Sequence, residues 1–163
     1  MSYPPLHALI GVRRSDDRTF YVRRSTRMEN YPGVWSLLSI QYDPHDLVDP
    51  RDLDTVSIYM RRMSAQRLGG VPITTKSLLL SGNQASDVIR RNVFLHLYHV
   101  ELHREPVLNP AFYMDCAWLT PEQYAERAAG EACGLCLRLW ASYGWMEHAV
   151  DNQTTEQPMA RYG

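Results

Sequence analysis

Three closely spaced side chains, His99, Glu101 and His103, are of types that do chemistry. On a strand, alternate residues share a face, so all three would point the same way. Residues two apart can chelate one metal ion, but the outer pair lies roughly 13 Å apart at strand rise. One ion therefore reaches two of them, and an Asp from the 43 to 54 loop would have to complete the site. Were the protein an enzyme, His99 and Glu101 would be its acid/base candidates. The plain alternative is a solvated strand face. His96 falls on the opposite face and reads as a hydrogen-bonded core or interface histidine.

Two charged sets lie earlier in the chain. Arg23, Arg24, Arg61 and Arg62 carry guanidinium forks, which suit phosphate or carboxylate bidentately; a surface role serves them equally well. Asp43, Asp46, Asp49, Asp52 and Asp54 form an acidic stretch. It can hold a cation, but such aspartates more often cap a helix and complement its dipole. Cys133-Gly134-Leu135-Cys136 lies within a helical pattern, and a single pair is short of the four ligands that a zinc site uses. Both cysteines, and Trp118, Trp140 and Trp145, read as packing residues.

The elements that position these groups follow from pattern. Leu6 to Val12 is apolar throughout, as in a strand buried on both faces. Asp16-Asp17 turns the chain, and Thr19 to Arg23 returns as the second strand of a hairpin. Pro32-Gly33 is a tight turn, and Trp35 to Tyr42 continues as a strand. Asp49 is placed to cap a helix with Pro50 at its first position. That helix runs over 50–68, with Leu53, Val56, Met60 and Met63 as one apolar stripe. Gly69-Gly70 supplies a left-handed end. Thr74 to Leu80 is a strand, Ser81-Gly82-Asn83 a turn, Val88 to His103 a long strand, and Phe112 to Leu119 another. Thr120-Pro121-Glu122-Gln123 opens a helix with a capping box, expected to run to about Ala141.

The 163 residues, 45% hydrophobic and 21% charged, suit one globular domain over 1–150, with a flexible C-terminal tail over 151–163. A net charge of −1 argues against a nucleic-acid binder. Three cysteines without framework spacing suit a reducing compartment. Neither a signal peptide nor a membrane span is readable, so the expectation is a cytoplasmic protein without membrane contact.

Trp35 belongs to a longer order: a strand ending in Arg23-Arg24, a Pro32-Gly33-Val34-Trp35 turn, a loop, a helix and a glycine. This order resembles the Nudix family, and the Pro-Gly-Val-Trp wording is similar to its isopentenyl diphosphate isomerase branch. The family signature reads Gly, five residues, Glu, seven residues, then Arg-Glu-hydrophobic-x-Glu-Glu-x-Gly. Anchored on Gly69, its arginine falls on Arg62, and its three helix glutamates fall on Met63, Gln66 and Arg67. The loop half puts Ile40 at the glycine and Asp46 at the first glutamate, with extra residues between the halves. The isomerase branch's catalytic cysteine would fall near Ile40.

The resemblance implies an α/β fold, a Nudix-like α/β/α sandwich around a mixed β-sheet. In the family the helix glutamates hold Mg²⁺ against a diphosphate, and magnesium needs hard anionic oxygens. Methionine, an amide and a cation do not supply them. The expectation is a protein without metal-dependent diphosphatase activity and without a cofactor. It would bind a small anionic or nucleotide-like ligand through Arg23, Arg24, Trp35 and Arg62, or bind a protein partner, with a homodimer compatible. The alternatives are a divergent, non-hydrolytic biosynthetic enzyme using His99 and Glu101, and a structural subunit.

Overall fold

In the computed structural model, residues 5 to 126 are described, apart from 17, 30, 31, 87 to 90, 121 and 125. The order is β1 (Leu6–Val12), β2 (Arg14–Ser15), β3 (Arg18–Arg24), β4 (Trp35–Ser36), β5 (Leu38–Gln41), α1 (Leu53–Arg67), β6 (Ile73–Ser86), β7 (Arg91–Leu102) and β8 (Tyr113–Leu119). One sheet runs β5-β1-β7-β6, with β1 and β7 parallel and the outer pairs antiparallel. The second is antiparallel and centred on β3, which pairs with β2, β4 and β8. The first is thus a mixed sheet, and α1 packs on one of its faces.

The strand over Leu6 to Val12 is found as expected, inside its sheet between β5 and β7. Its predicted hairpin partner is not. β3 lies in the other sheet, because the chain changes sheets at Arg13, whose carbonyl accepts the Phe20 N–H at 2.9 Å. A second change occurs at Leu37, which is fully buried. The expected strand over Trp35 to Tyr42 is therefore two strands, one in each sheet. Alternation within a strand is local, whereas the choice of sheet depends on distant partners.

Ser81-Gly82-Asn83 is not a turn. These residues pair with His96, Leu95 and Phe94 inside β6, which has two register irregularities. Pairing with β7 overrides the local turn preference of these residues. The start of the long strand at 88 lies outside the described residues, as do the second helix beyond residue 126, the Cys133 and Cys136 pair, the terminal tryptophans and the tail.

Two apolar layers flank the first sheet. Leu9, Tyr98 and Val100 meet Val56, Met60 and Met63 of α1. On the other side Ile10, Val12, Leu95 and Leu97 meet Tyr21, Trp35 and Tyr124. Tyr124 follows the predicted capping box. Gln123 N–H donates to Thr120 Oγ1 at 3.2 Å, and Thr120 N–H donates to Gln123 Oε1 at 2.9 Å.

The helix cap is shifted. Asp52, not Asp49, caps α1, accepting the Thr55 N–H at 3.3 Å and the Thr55 hydroxyl at 2.6 Å. Asp49 accepts the Arg51 N–H in a preceding turn, and the Pro50 carbonyl accepts the Tyr98 hydroxyl at 2.6 Å. With its carbonyl held by Tyr98, Pro50 belongs to that turn. Two aspartates three residues apart look equally good in sequence.

The helix end is as predicted, with Gly69 at φ 72° and Gly70 at φ 75°. The loop after β7 then docks on it. Val107 N–H donates to the Leu68 carbonyl, Asn109 N–H to that of Arg67, and Asn109 Nδ2 to that of Gln66. Terminal carbonyls that a helix leaves without partners are satisfied this way. A Cβ on Gly69 would stand 2.9 Å from Val107 Cβ, whereas one on Gly70 would meet nothing within 4 Å. Gly70→Ala should cost about 1–2 kcal/mol for the left-handed backbone alone. Gly69→Ala should cost distinctly more, because it also displaces the docked loop. Equal midpoints for the two variants in urea unfolding would refute the loop's role.

Candidate functional site

The strand-end arginines sit beside the Pro32-Gly33 turn. Arg23 Nε donates to the Gly33 carbonyl at 3.0 Å, and Arg24 N–H donates to the Val34 carbonyl at 2.8 Å. Arg23 is opposite Trp35 in the β3–β4 pairing, and Arg24 is opposite Tyr113 in the β3–β8 pairing. Both arginines are half-buried. Trp35 is only 4% exposed and packs in the core layer with Val12, Tyr21 and Leu97. Its size suits it to packing, and Arg23 and Arg24 are the more accessible groups of this set.

The last turn of α1 reaches the same corner through Tyr113. Met63 has no exposed surface and fills the layer under the helix. Gln66 is exposed. Arg67, one turn beyond Met63, is half-buried. Its Nη1 donates to the Ser39 carbonyl at 2.7 Å and to the Tyr113 hydroxyl at 3.3 Å, and its guanidinium lies 4.6 Å from the Phe112 ring centre. These three residues do not fit Mg²⁺. They present a buried thioether, a neutral amide and a fixed positive charge, where the ion needs anionic oxygens in near-octahedral order.

Arg62 does not join that group. It is exposed, with its guanidinium 5.0 Å from the ring centre of Tyr59. The Tyr59 hydroxyl donates to Asp46 Oδ2 at 2.7 Å and accepts the Asp43 N–H at 3.2 Å. Asp46 thus anchors the loop to the helix.

His99, Glu101 and His103 lie on the sheet face away from α1. Glu101 is 3.4 Å from Lys76 Nζ and 3.7 Å from His103 Nδ1. His103 Nε2 is 2.7 Å from Thr74 Oγ1. Burial first, then the charges of Arg14 and Lys76, push the His99 pKa down, with Glu101 opposing them. Arg14 itself is brought down to about 10 by burial. Among the described residues no group of three or more His, Cys, Asp or Glu is placed to hold a metal ion, and Glu101 is shared between Lys76 and His103.

His96 is on the face opposite to His99, as expected, and this is the face that carries α1. Its Nδ1 is 2.7 Å from Ser81 Oγ, and burial and the neighbouring His7 push its pKa down to about 4. Arg14, Thr74, Lys76, Ser39, Phe112 and Tyr113 were not legible as site residues. Each arrives by cross-strand register or loop docking. Only Arg67 carried a signal, its place in the signature.

No family model and no curated protein matches the chain. Solved structures do. A MutT protein from Methanosarcina mazei is 12% identical with a TM-score of 0.68, over 94% of this chain and 99% of that one. A Nudix hydrolase from Nitrosomonas europaea is 10% identical with a TM-score of 0.63, over 86% of this chain and 88% of that one. The Nudix domain of Shewanella oneidensis NrtR, solved with ADP-ribose, is 12% identical with a TM-score of 0.52, over 93% of this chain and 86% of that one. Among the described residues no helix is long and apolar enough to cross a membrane. With a mixed sheet carrying α1, a second sheet centred on β3, and this likeness along nearly its whole length, the chain has the Nudix fold.

Proposed function

We propose that this protein binds a small anionic or nucleotide-like ligand and does not carry out the metal-dependent diphosphate cleavage of the family it resembles. One observation carries the reading. The three helix positions that would hold the metal are taken by buried Met63, exposed Gln66 and the Ser39-bound guanidinium of Arg67. Cleavage needs charge neutralisation on the bridging and leaving oxygens and an activated water, and bound metal supplies most of that. Asp46 is spent on Tyr59 and is a single carboxylate. Arg23, Arg24 and Arg67 can still attract an anion, so binding survives where turnover does not.

ADP-ribose, the ligand in the Shewanella oneidensis NrtR structure, is the first compound to try. Purified protein with Mg²⁺ or Mn²⁺ should leave ADP-ribose, dinucleoside polyphosphates and nucleoside triphosphates intact. Robust metal-dependent turnover, abolished by Asp46→Asn, would show that the loop has rebuilt the site.

A second reading, a divergent non-hydrolytic enzyme, draws support from the depressed pKa of His99 beside Arg14, Lys76 and Glu101. It requires turnover of some ligand that is lost in His99→Gln.

A further inference from the structure

Arg67 is more than a lost metal ligand. Its charge is half-buried, and among the described residues no carboxylate pairs with it. Nη1 serves two neutral acceptors, the Ser39 carbonyl and the Tyr113 hydroxyl. Nε is buried without a hydrogen-bond partner. The plane rests on Phe112 and borders Tyr113, with ring centres 4.6 and 5.9 Å away. Arg24 stands opposite Tyr113 in the β3–β8 register. A half-buried cation held only by dipoles and rings lacks the counter-charge that normally compensates it. The α1 C-terminal dipole supplies part of that charge, but no second acceptor for the fork.

We infer that Arg67 is a resident cation giving this corner metal-independent affinity for a phosphate or diphosphate group. The inference rests on the proposed reading of an anionic ligand and names its chemistry. A tetrahedral phosphate can accept two hydrogen bonds from one guanidinium edge. A small rotation of the Arg67 fork would bring Nε and a terminal nitrogen onto such an oxyanion, giving Nε the acceptor it lacks. A guanidinium at this position also repels Mg²⁺, so added metal should not strengthen binding.

The probe is inorganic pyrophosphate, titrated into the full-length wild-type protein in EDTA. Calorimetry gives the affinity, and ¹⁵N spectra of arginine side chains report on Arg67 Nε. Saturable binding should appear in EDTA, move the Arg67 Nε–H resonance and show no gain with Mg²⁺. Arg67→Met keeps the stem on Phe112 and removes the charge. It should weaken binding about tenfold or more, since a charge-assisted hydrogen bond to the phosphate is lost. Exposed Arg51→Met serves as the charge control and should bind as the wild type does. Binding that requires Mg²⁺, an unmoved Arg67 resonance, or equal affinity in Arg67→Met would overturn the inference. The wild-type spectra decide the question even if Arg67→Met does not fold. A wild type that neither binds pyrophosphate nor hydrolyses diphosphates overturns this inference alone. Metal-dependent turnover overturns the proposed function too.

Discussion

Met60→Ala should lower the unfolding free energy by about 2–5 kcal/mol, the range for truncating a buried Met, Leu or Ile. Met60 has no exposed surface and sits mid-helix in the layer between α1 and the first sheet. Its Sδ lies 3.6 Å from where a Gly11 side chain would begin. The helix therefore packs onto β1 at van der Waals distance. Truncation opens a cavity between two rigid elements, which collapses poorly and forfeits contacts on both walls. Ile58, on the same helix, is 44% exposed, and Ile58→Ala should change stability far less. Urea unfolding of both variants measures the difference. Comparable losses would mean that the helix is rotated from the register described.

Acid should destabilise the protein between pH 6.5 and about 4, by up to about 3 kcal/mol through His96 alone. Its folded-state pKa is pushed down to about 4, by burial first and by His7 second. The unfolded chain keeps the ordinary value near 6.5, so on acidification it takes up the proton first. The contribution is complete above pH 6.5 and is lost as pH falls towards 4. Around the imidazole stand Ser81, bonded to Nδ1, and the ring of Tyr42 at 5.7 Å, and neither carries a negative charge to hold a proton there. His99 is depressed as well, in the same direction. His96→Gln retains a partner for Ser81 and removes the titration. Its urea midpoint should therefore fall less steeply with pH than that of the wild type. An NMR titration placing the native His96 pKa near 6.5 would remove the basis for this prediction.

Local grammar was legible in the sequence. The Leu6 to Val12 strand, the Val56-Met60-Met63 stripe, the left-handed Gly69 and Gly70 and the Thr120–Gln123 box all follow from rules acting within one turn or one strand. The order Arg-Arg, Pro-Gly-x-Trp, helix, glycine also pointed to the fold. Partnership between distant elements was not legible. Nothing local tells Val12 and Phe20 to enter different sheets, or Leu37 to pass between them. Ser81-Gly82-Asn83 has turn chemistry, and only β7 alongside makes it strand. The site divides the same way. That Met63, Gln66 and Arg67 lack carboxylates is written in the sequence. That Arg67 is a half-buried cation between Ser39, Phe112 and Tyr113 was decided by tertiary structure, since those partners lie 28 to 46 positions away in the chain. Hydrogen bonds and ring contacts are made at a few ångströms, and only the folded chain brings such distant positions that close.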